Sequence, residues 1–504
     1  MEKLKRKLFF WTLVLLFFVT TPIIILHARG YRFDLSRGVF VHSGTIAIKS
    51  NPQSVDVSLN GELFEAKKID RINNSYNLTG LLPSDYEIKV TYSGFRSWSK
   101  KADVHSGVAS EFWNILLVRE NYEREILIGI SGVDRFFMSP KNQYIVYTEN
   151  AEEGLKTKLF NIKDNTVERE FSFPGWKILD ETKKENIEWS PEEDYLSVPV
   201  EKTELIASKK KTRYAASPVY ETRYAYFIVD PENETSFNLN EFLGKNNITS
   251  VRWDPKDKDY LFFLSEGSLF RVNIKDASDI INISPVVSAF NLTRSNIYYL
   301  GIPNNLVYKS SLDGKSEKEQ ITNNFPDLSS SPVDKMIIYD EDRIAFINQN
   351  KDLFIYNFGE HDTYFKKIGS LVEGVHFSDD GKKMLFWSDN EISAYFLRDW
   401  DVQPVRAENE LANITRYSEP IRNVQWFKDY EHIIFTSGRF TKIIELDPRD
   451  HRNCMDLIST ELEKPFVRYN NSLEILYFTE KNGDSTNLQS IIFPEPTPIL
   501  GIGG

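Results

Sequence analysis

Residues 376–386 read His376-Phe377-Ser378-Asp379-Asp380-Gly381-Lys382-Lys383-Met384-Leu385-Phe386. An aromatic closes one short strand, a Ser-Asp-Asp-Gly segment turns the chain, and an apolar run opens the next strand. The same order recurs. Phe137-Met138-Ser139-Pro140 precedes Tyr144-Ile145-Val146-Tyr147, and Glu188-Trp189-Ser190-Pro191 precedes Tyr195-Leu196. Arg252-Trp253-Asp254-Pro255 precedes Tyr260-Leu261-Phe262-Phe263, and Gln425-Trp426-Phe427 precedes Ile433-Ile434-Phe435. Fainter copies are Ala289-Phe290-Asn291 before Ile297-Tyr298-Tyr299, Ile338-Tyr339-Asp340 before Ile344-Ala345-Phe346, and Arg468-Tyr469-Asn470 before Ile475-Leu476-Tyr477.

The anchors Met138, Trp189, Trp253, Phe290, Tyr339, Phe377, Trp426 and Tyr469 are 37 to 64 residues apart. A propeller blade takes about 40–50 residues. A third strand follows each pair, as in Leu269–Ile274, and a fourth usually follows it, as in Asp279–Ile283; four antiparallel strands make a blade. The last repeat shows three strands before Pro494-Glu495-Pro496. The unclaimed strand Glu125–Ile130 supplies its fourth and closes the ring, which removes exposed sheet edges. The expected fold is all-β, with a propeller of about eight blades over residues 121–493 and a Pro/Gly-rich tail over 494–504. Seven blades is the alternative, because the repeats at Phe290 and Tyr339 are weakly marked.

Trp189-Ser190-Pro191 and Phe377-Ser378-Asp379-Asp380-Gly381 resemble TolB-like, or WD40-like, propeller repeats. The likeness covers about 370 residues through short motifs of the kind many repeat arrays share, and it implies a fold rather than an activity. The prolyl-oligopeptidase family joins such a propeller to an α/β-hydrolase. This sequence has no Gly-x-Ser-x-Gly nucleophile elbow and no length left for a hydrolase domain.

Upstream, residues 44–120 read as a small β-sandwich. Gly44–Ser50 alternates, Asn51-Pro52 breaks it, and Val55–Leu59 alternates into the turn signal Asn60-Gly61. Leu82-Pro83 is another break, Tyr86–Tyr92 has a clear period of two, and Phe112–Val118 is the last strand. This stretch resembles the PEGA domain. The namesake tetrapeptide corresponds to Pro52-Gln53-Ser54-Val55, of which only the proline is kept. Asn60-Gly61, Leu82-Pro83, Tyr86–Val90 and Gly94-Phe95 match in order, and Asp85 stands where the family usually has glycine. The resemblance implies an envelope-associated, non-catalytic module that contacts surface layers or cell wall. The plainer reading is a spacer.

At the N-terminus, the basic stub 1–7 carries Lys3, Lys5, Arg6 and Lys7 ahead of the uncharged run Leu8–Leu26. Nineteen residues of helix span about 30 Å of hydrocarbon. Leu26-His27-Ala28-Arg29 is a poor cleavage site, so the run reads as an uncleaved transmembrane signal anchor with its N-terminus inside, followed by a linker over 27–43. Arg29, Arg32 and Arg37 weaken the charge bias, which leaves the reverse orientation, with a cytoplasmic body, as the alternative.

The 504 residues carry a net charge of −12, made of +5 in residues 1–43 and −17 in the rest. So acidic a body excludes a general nucleic-acid binder. A single cysteine, Cys454, excludes an internal disulfide framework and a Cys-cluster zinc site and reads as a buried small residue. The seven histidines show no metal-ligand spacing on one element, with His376 and His432 expected beside or inside strands. Asp254, Asp257 and Asp259 read as a solvated turn, lacking the glycine and distal glutamate of a calcium loop. No catalytic residue, metal or cofactor is assigned, and a site in the propeller channel is the enzyme alternative.

The long connections share one face of a propeller: 176–185, 323–335 and, longest, about Thr203–Thr222. The last reads Lys209-Lys210-Lys211-Thr212-Arg213-Tyr214, with Tyr220, Arg223 and Tyr224 after it. In an acidic body this is a basic and aromatic patch suited to phosphate or carboxylate groups, and long loops carry function more often than chance. A solvated hairpin is the plainer reading. The expected protein is a single-pass, non-catalytic, extracytoplasmic scaffold of the cell membrane that binds an envelope protein or an anionic wall polymer. Wall attachment through residues 44–120 is the alternative.

Overall fold

The computed structural model describes residues 2–64, 69–70, 75–179, 187–206, 219–323 and 331–494. Helix α1 (Glu2–Ala28) opens the chain, with Pro22 inside it. The basic residues Lys3–Lys7 continue the helix rather than preceding it. None of its apolar window is buried by the rest of the chain, and it is long and apolar enough to cross a membrane, a property signal sequences share. The segment expected as a linker folds into a hairpin of β1 (Tyr31–Asp34) and β2 (Val39–His42).

Eight strands follow: β3 (Gly44–Asn51), β4 (Asp56–Leu59), β5 (Glu62–Leu63), β6 (Ile69–Asp70), β7 (Ser75–Leu81), β8 (Ser84–Thr91), β9 (Trp98–Val104) and β10 (Ala109–Leu116). They form two sheets in the orders β10-β3-β7-β6 and β5-β4-β8-β9, with β10 parallel to β3. Period-two patterning explains the layering. Ile88 and Val90 of β8 turn into a core with Ile46, Ile48, Leu78, Trp98 and Phe112, while Glu87 and Lys89 stay outside.

From residue 125 the chain is a β-propeller. Successive four-stranded antiparallel sheets occupy 135–174, 248–284, 287–320, 333–369, 374–416 and 421–459, and a five-stranded one occupies 177–238 after the first. Strands Val467–Asn470, Ile475–Asn482 and Ser485–Ile492 make the last sheet, which Glu125–Ser131, the strand just ahead of the first sheet, completes. The second strand of each sheet lies between neighbouring sheets and is apolar on both faces, so it reads as a run rather than an alternation. Leu261, Phe262 and Phe263 are an example, all fully buried.

The polar turns found in the sequence join sheet to sheet. Lys141 meets Glu192 and Glu193, and Lys258 reaches Asp194 at 2.9 Å. Tyr339 Oη donates to the Asp379 carbonyl at 2.7 Å, Lys383 to the Tyr430 carbonyl at 2.6 Å, and Lys428 pairs with Glu474 at 2.6 Å. Asn470 of the last sheet bonds Asn142 of the first. Trp253 Nε1 donates to the Glu188 carbonyl one repeat earlier at 3.1 Å, and Trp426 Nε1 to that of His376 at 3.0 Å.

The structure corrects several local expectations. Asp254 is buried and forked by Arg271 at 3.0 and 2.9 Å, so it is not a solvated residue. The carboxylate anchors an arginine inside the sheet instead. Cys454 lies at the surface, with Sγ 3.5 Å from Tyr417 Oη. The link 176–185 includes a strand, Lys177–Ile178, paired with residues 200–201. A short helix, Leu239–Leu243, capped by Asn238 and Gly244, joins the second sheet to the third.

Candidate functional site

The inner strands of the third, fourth and fifth sheets are Ile248–Trp253, Val287–Leu292 and Val333–Asp340. With residues of the second sheet they surround a cavity of about 340 Å3. Each of the three strands slips register near its start, between Thr249 and Arg252, between Val287 and Ala289, and between Val333 and Lys335. The residues inside these bulges are Ser250 and Val251, Ser288, and Asp334, and of these Ser250, Ser288 and Asp334 line the cavity. A bulge bends its strand and re-aims a side chain. Ser250 takes a left-handed φ of 53° to do so.

Around these three stand Thr249, Arg252, Lys335, Gln349 and Tyr224, over an apolar floor that includes Val200, Phe290 and Met336. Arg252 donates to the Val251 carbonyl at 2.8 Å and lies 3.6 Å from Glu188 Oε2. Hydroxyls, an amide, two cations and a carboxylate on an apolar floor suit recognition of a polar segment by several short hydrogen bonds. No histidine or cysteine is among the lining residues.

Of the residues expected to form a basic patch, Tyr220, Arg223 and Tyr224 are among the described residues. Lys209, Lys210, Lys211, Arg213 and Tyr214 lie outside the described residues. The expected loop is shorter than its sequence suggested, because Leu196–Ile206 and Val219–Asp230 pair continuously from Leu196↔Val229 to Ile206↔Val219. Tyr220, Arg223 and Tyr224 are therefore strand residues. Tyr220 is 62% exposed, whereas Tyr224 reaches the cavity. Arg223 points to the opposite face from both tyrosines and lies 3.6 Å from Glu204 and from Glu221. Lys202 and Arg223 in turn hold the Glu204 carboxyl below its ordinary range. The described part of the patch is thus charge-balanced.

The fold also gathers a group that no sequence spacing announced. Ligand atoms of Glu360, His361 and Glu408 lie within 4.8 Å of one another. Glu408 already accepts from the Glu360 and His361 amides at 2.7 and 3.1 Å and from Asn357 at 3.1 Å. His361 Nε2 is 2.7 Å from Asp399, and that contact raises its pKa. These atoms serve one another within a loop junction.

No protein-family model and no curated protein matches the chain. Among solved structures, the chain is similar to the β-propeller domain of Cps50 (Swd1) from Myceliophteria thermophila, at 9% identity and TM-score 0.39 over 74% of this chain and 100% of that one. Hsv2 of Kluyveromyces lactis matches at 8% identity and TM-score 0.39, over 65% and 98%. Dipeptidyl peptidase 4 of Porphyromonas gingivalis matches at 10% and 0.43, over 70% and 57%.

Proposed function

We propose that this chain is a membrane-anchored, non-catalytic binding scaffold, with α1 as an uncleaved span and the rest of the chain outside the cytoplasm. The successive sheets are read as the eight blades of one ring. Residues 44–120 are read as a PEGA-like unit and 121–493 as the propeller. The partner is an envelope protein or an anionic wall polymer.

The cavity on the bulged inner strands carries the binding role. A bulge at the same point of three neighbouring strands costs ladder hydrogen bonds, and what it achieves here is a polar lining. The exposed apolar face of α1 supports the anchor. The PEGA-like unit acts as a spacer in this reading, because Trp98, Lys100 and Phe112 are engaged by the propeller rather than offered to a wall.

The test is photo-cross-linking of the full-length chain in cells, with a photoreactive residue replacing Gln349 at the cavity rim. One dominant adduct, weakened several-fold by Arg252→Ala with Lys335→Ala, is the expected result. A body that fractionates as soluble protein refutes the anchor. An intact, membrane-bound chain that gives no adduct refutes the cavity as the binding site.

A further inference from the structure

The hairpin β1–β2 begins three residues beyond α1. Cross-strand pairing places Tyr31, Phe33, Phe40 and His42 on one face. Phe33 and Phe40 meet edge to face at 5.1 Å, as do Tyr31 and His42. That face turns toward the last turns of the helix. With Ile23 and His27 it walls an apolar cleft of about 440 Å3. Arg32 holds the two parts together, its Nη1 lying 3.3 Å from the His27 carbonyl and 3.0 Å from that of Tyr31.

The other end of the hairpin is apolar and uncovered. Leu35 at the tip is 87% exposed, and Phe33, Val39 and Phe40 beside it are 39–49% exposed. The tip is nonetheless well ordered. Asp34 Oδ1 accepts the Ser36 amide at 2.9 Å, the Ser36 hydroxyl at 2.6 Å and the Arg37 amide at 3.3 Å. The turn therefore occupies the only acidic group between residues 29 and 43, a stretch that also holds Arg29, Arg32 and Arg37. A two-stranded hairpin with its apolar side chains in water is at best marginally stable.

We propose that this hairpin is a lipid-binding element lying in the headgroup–acyl boundary of the bilayer that α1 spans. Phe33, Leu35, Val39 and Phe40 enter the acyl boundary. A phospholipid glycerol–acyl segment fills the cleft against Ile23 and His27, and Arg29 and Arg37 sit at phosphate depth. Continuity argues for a lipid occupant: the cleft is walled by the helix that the Proposed function places in the membrane, on which this inference rests. Charge argues the same way, because cations around an apolar insert match an anionic headgroup layer.

The experiment uses the full chain in a Cys454→Ser background, in nanodiscs of phosphatidylcholine with and without phosphatidylglycerol. Spin labels are placed singly at Leu35→Cys, Val39→Cys, Val19→Cys in the helix and Glu232→Cys on an exposed turn. Accessibility to oxygen is compared with accessibility to an aqueous nickel complex. The inference expects Leu35 and Val39 to shift several-fold toward the lipid-like ratio of Val19, and more so with phosphatidylglycerol. Water-like labels at both hairpin sites with a lipid-like Val19 overturn the hairpin inference alone. A water-like Val19 overturns the membrane reading of α1 and the hairpin with it. Equal hairpin depth in both lipid mixtures overturns the role of the arginines.

Discussion

The Lys100 ammonium lies 2.8 Å from Glu445 Oε1, and neither side chain has appreciable contact with solvent. Lys100 comes from β9 of the small unit and Glu445 from the propeller. The same ammonium donates to the carbonyls of Asp447, Arg449 and His451 at 2.8, 3.0 and 2.7 Å, and Asp447 Oδ1 stands 3.6 Å away. Trp98 Nε1 donates to the other Glu445 oxygen at 2.9 Å. Arg449 stacks on Phe112 at 3.9 Å and donates to the Glu111 carbonyl at 2.7 Å. A charge this deep is tolerated only because every donor is used.

Lys100→Met should therefore leave Glu445 buried without its cation, at a cost of about 3–5 kcal/mol. Expected readouts are faster protease cleavage in residues 119–124 and an earlier, separate unfolding step. Adding Glu445→Gln should recover part of the loss. Unchanged cleavage in Lys100→Met would mean that the apolar contacts alone hold the two units together.

Buried His432 pairs with half-buried Asp429, with Nδ1 2.7 Å from Oδ2. Burial pulls the imidazole pKa down, but Asp429, Glu445 and Glu431 outweigh it, and the net shift is upward. Burial pushes Asp429 up, but His432 and two backbone amides outweigh that, and its net shift is downward. The histidine's contribution is complete below about pH 6.5 and is lost as pH rises through its folded pKa. The aspartate's is complete above about pH 4 and is lost as pH falls through its own. His432→Asn should thus destabilise most near about pH 5 and less near about pH 9. Chemical denaturation of both proteins across that range checks this, and a penalty that grows with pH would contradict it.

Trp189 and Trp253 occupy equivalent positions, and each stacks on a tyrosine of the preceding sheet, Tyr144 at 6.2 Å and Tyr195 at 5.8 Å. Trp253 finds an acceptor for its indole N–H, whereas Trp189 Nε1 has none among the described residues. Trp253→Phe should cost about 1 kcal/mol more than Trp189→Phe. Paired thermal melts decide it, and equal losses would mean that stacking outweighs the hydrogen bond.

Arg124 clamps the closing strand, with Nη1 2.9 Å from Glu480 and Nη2 2.7 Å from the Ser459 carbonyl. Because the guanidinium is partly exposed, Arg124→Ala should cost only about 1–2 kcal/mol. Amide exchange should quicken in 467–492 and not in 333–369. Uniform quickening would mean that the ring opens only as a whole.

The sequence made the sheets legible because their turns carry distinctive chemistry. Ser139, Ser190, Asp254, Asp340, Ser378 and Asn470 fix turns, and the residues around them bridge neighbouring sheets. Buried second strands showed as unbroken apolar runs. The cavity was not read, although a faint signal was present. Ile248 and Val251, and Val333 and Met336, are apolar at a spacing of three where a strand should show two, and a register slip falls in each interval. The Lys100 pairing left no such trace, since residues more than three hundred positions apart have no shared local pattern. Within residues 203–222 the polar residues resemble a loop, yet Thr203–Ile206 and Val219–Thr222 are strand and make the last four pairs of the ladder that starts at Leu196↔Val229.

The last sheet is assembled from both ends of the body: Glu125 pairs with Ser490 and Ile126 with Gln489. A growing polypeptide makes the first partner hundreds of residues before the second. Until Ser485–Ile492 is made, Glu125–Ser131 lacks its strand partner in this sheet. A prematurely terminated product cannot finish its ring and carries an open strand edge, which is the surface that aggregation and quality control act upon. The join thus makes a complete last sheet depend on synthesis through Ser490.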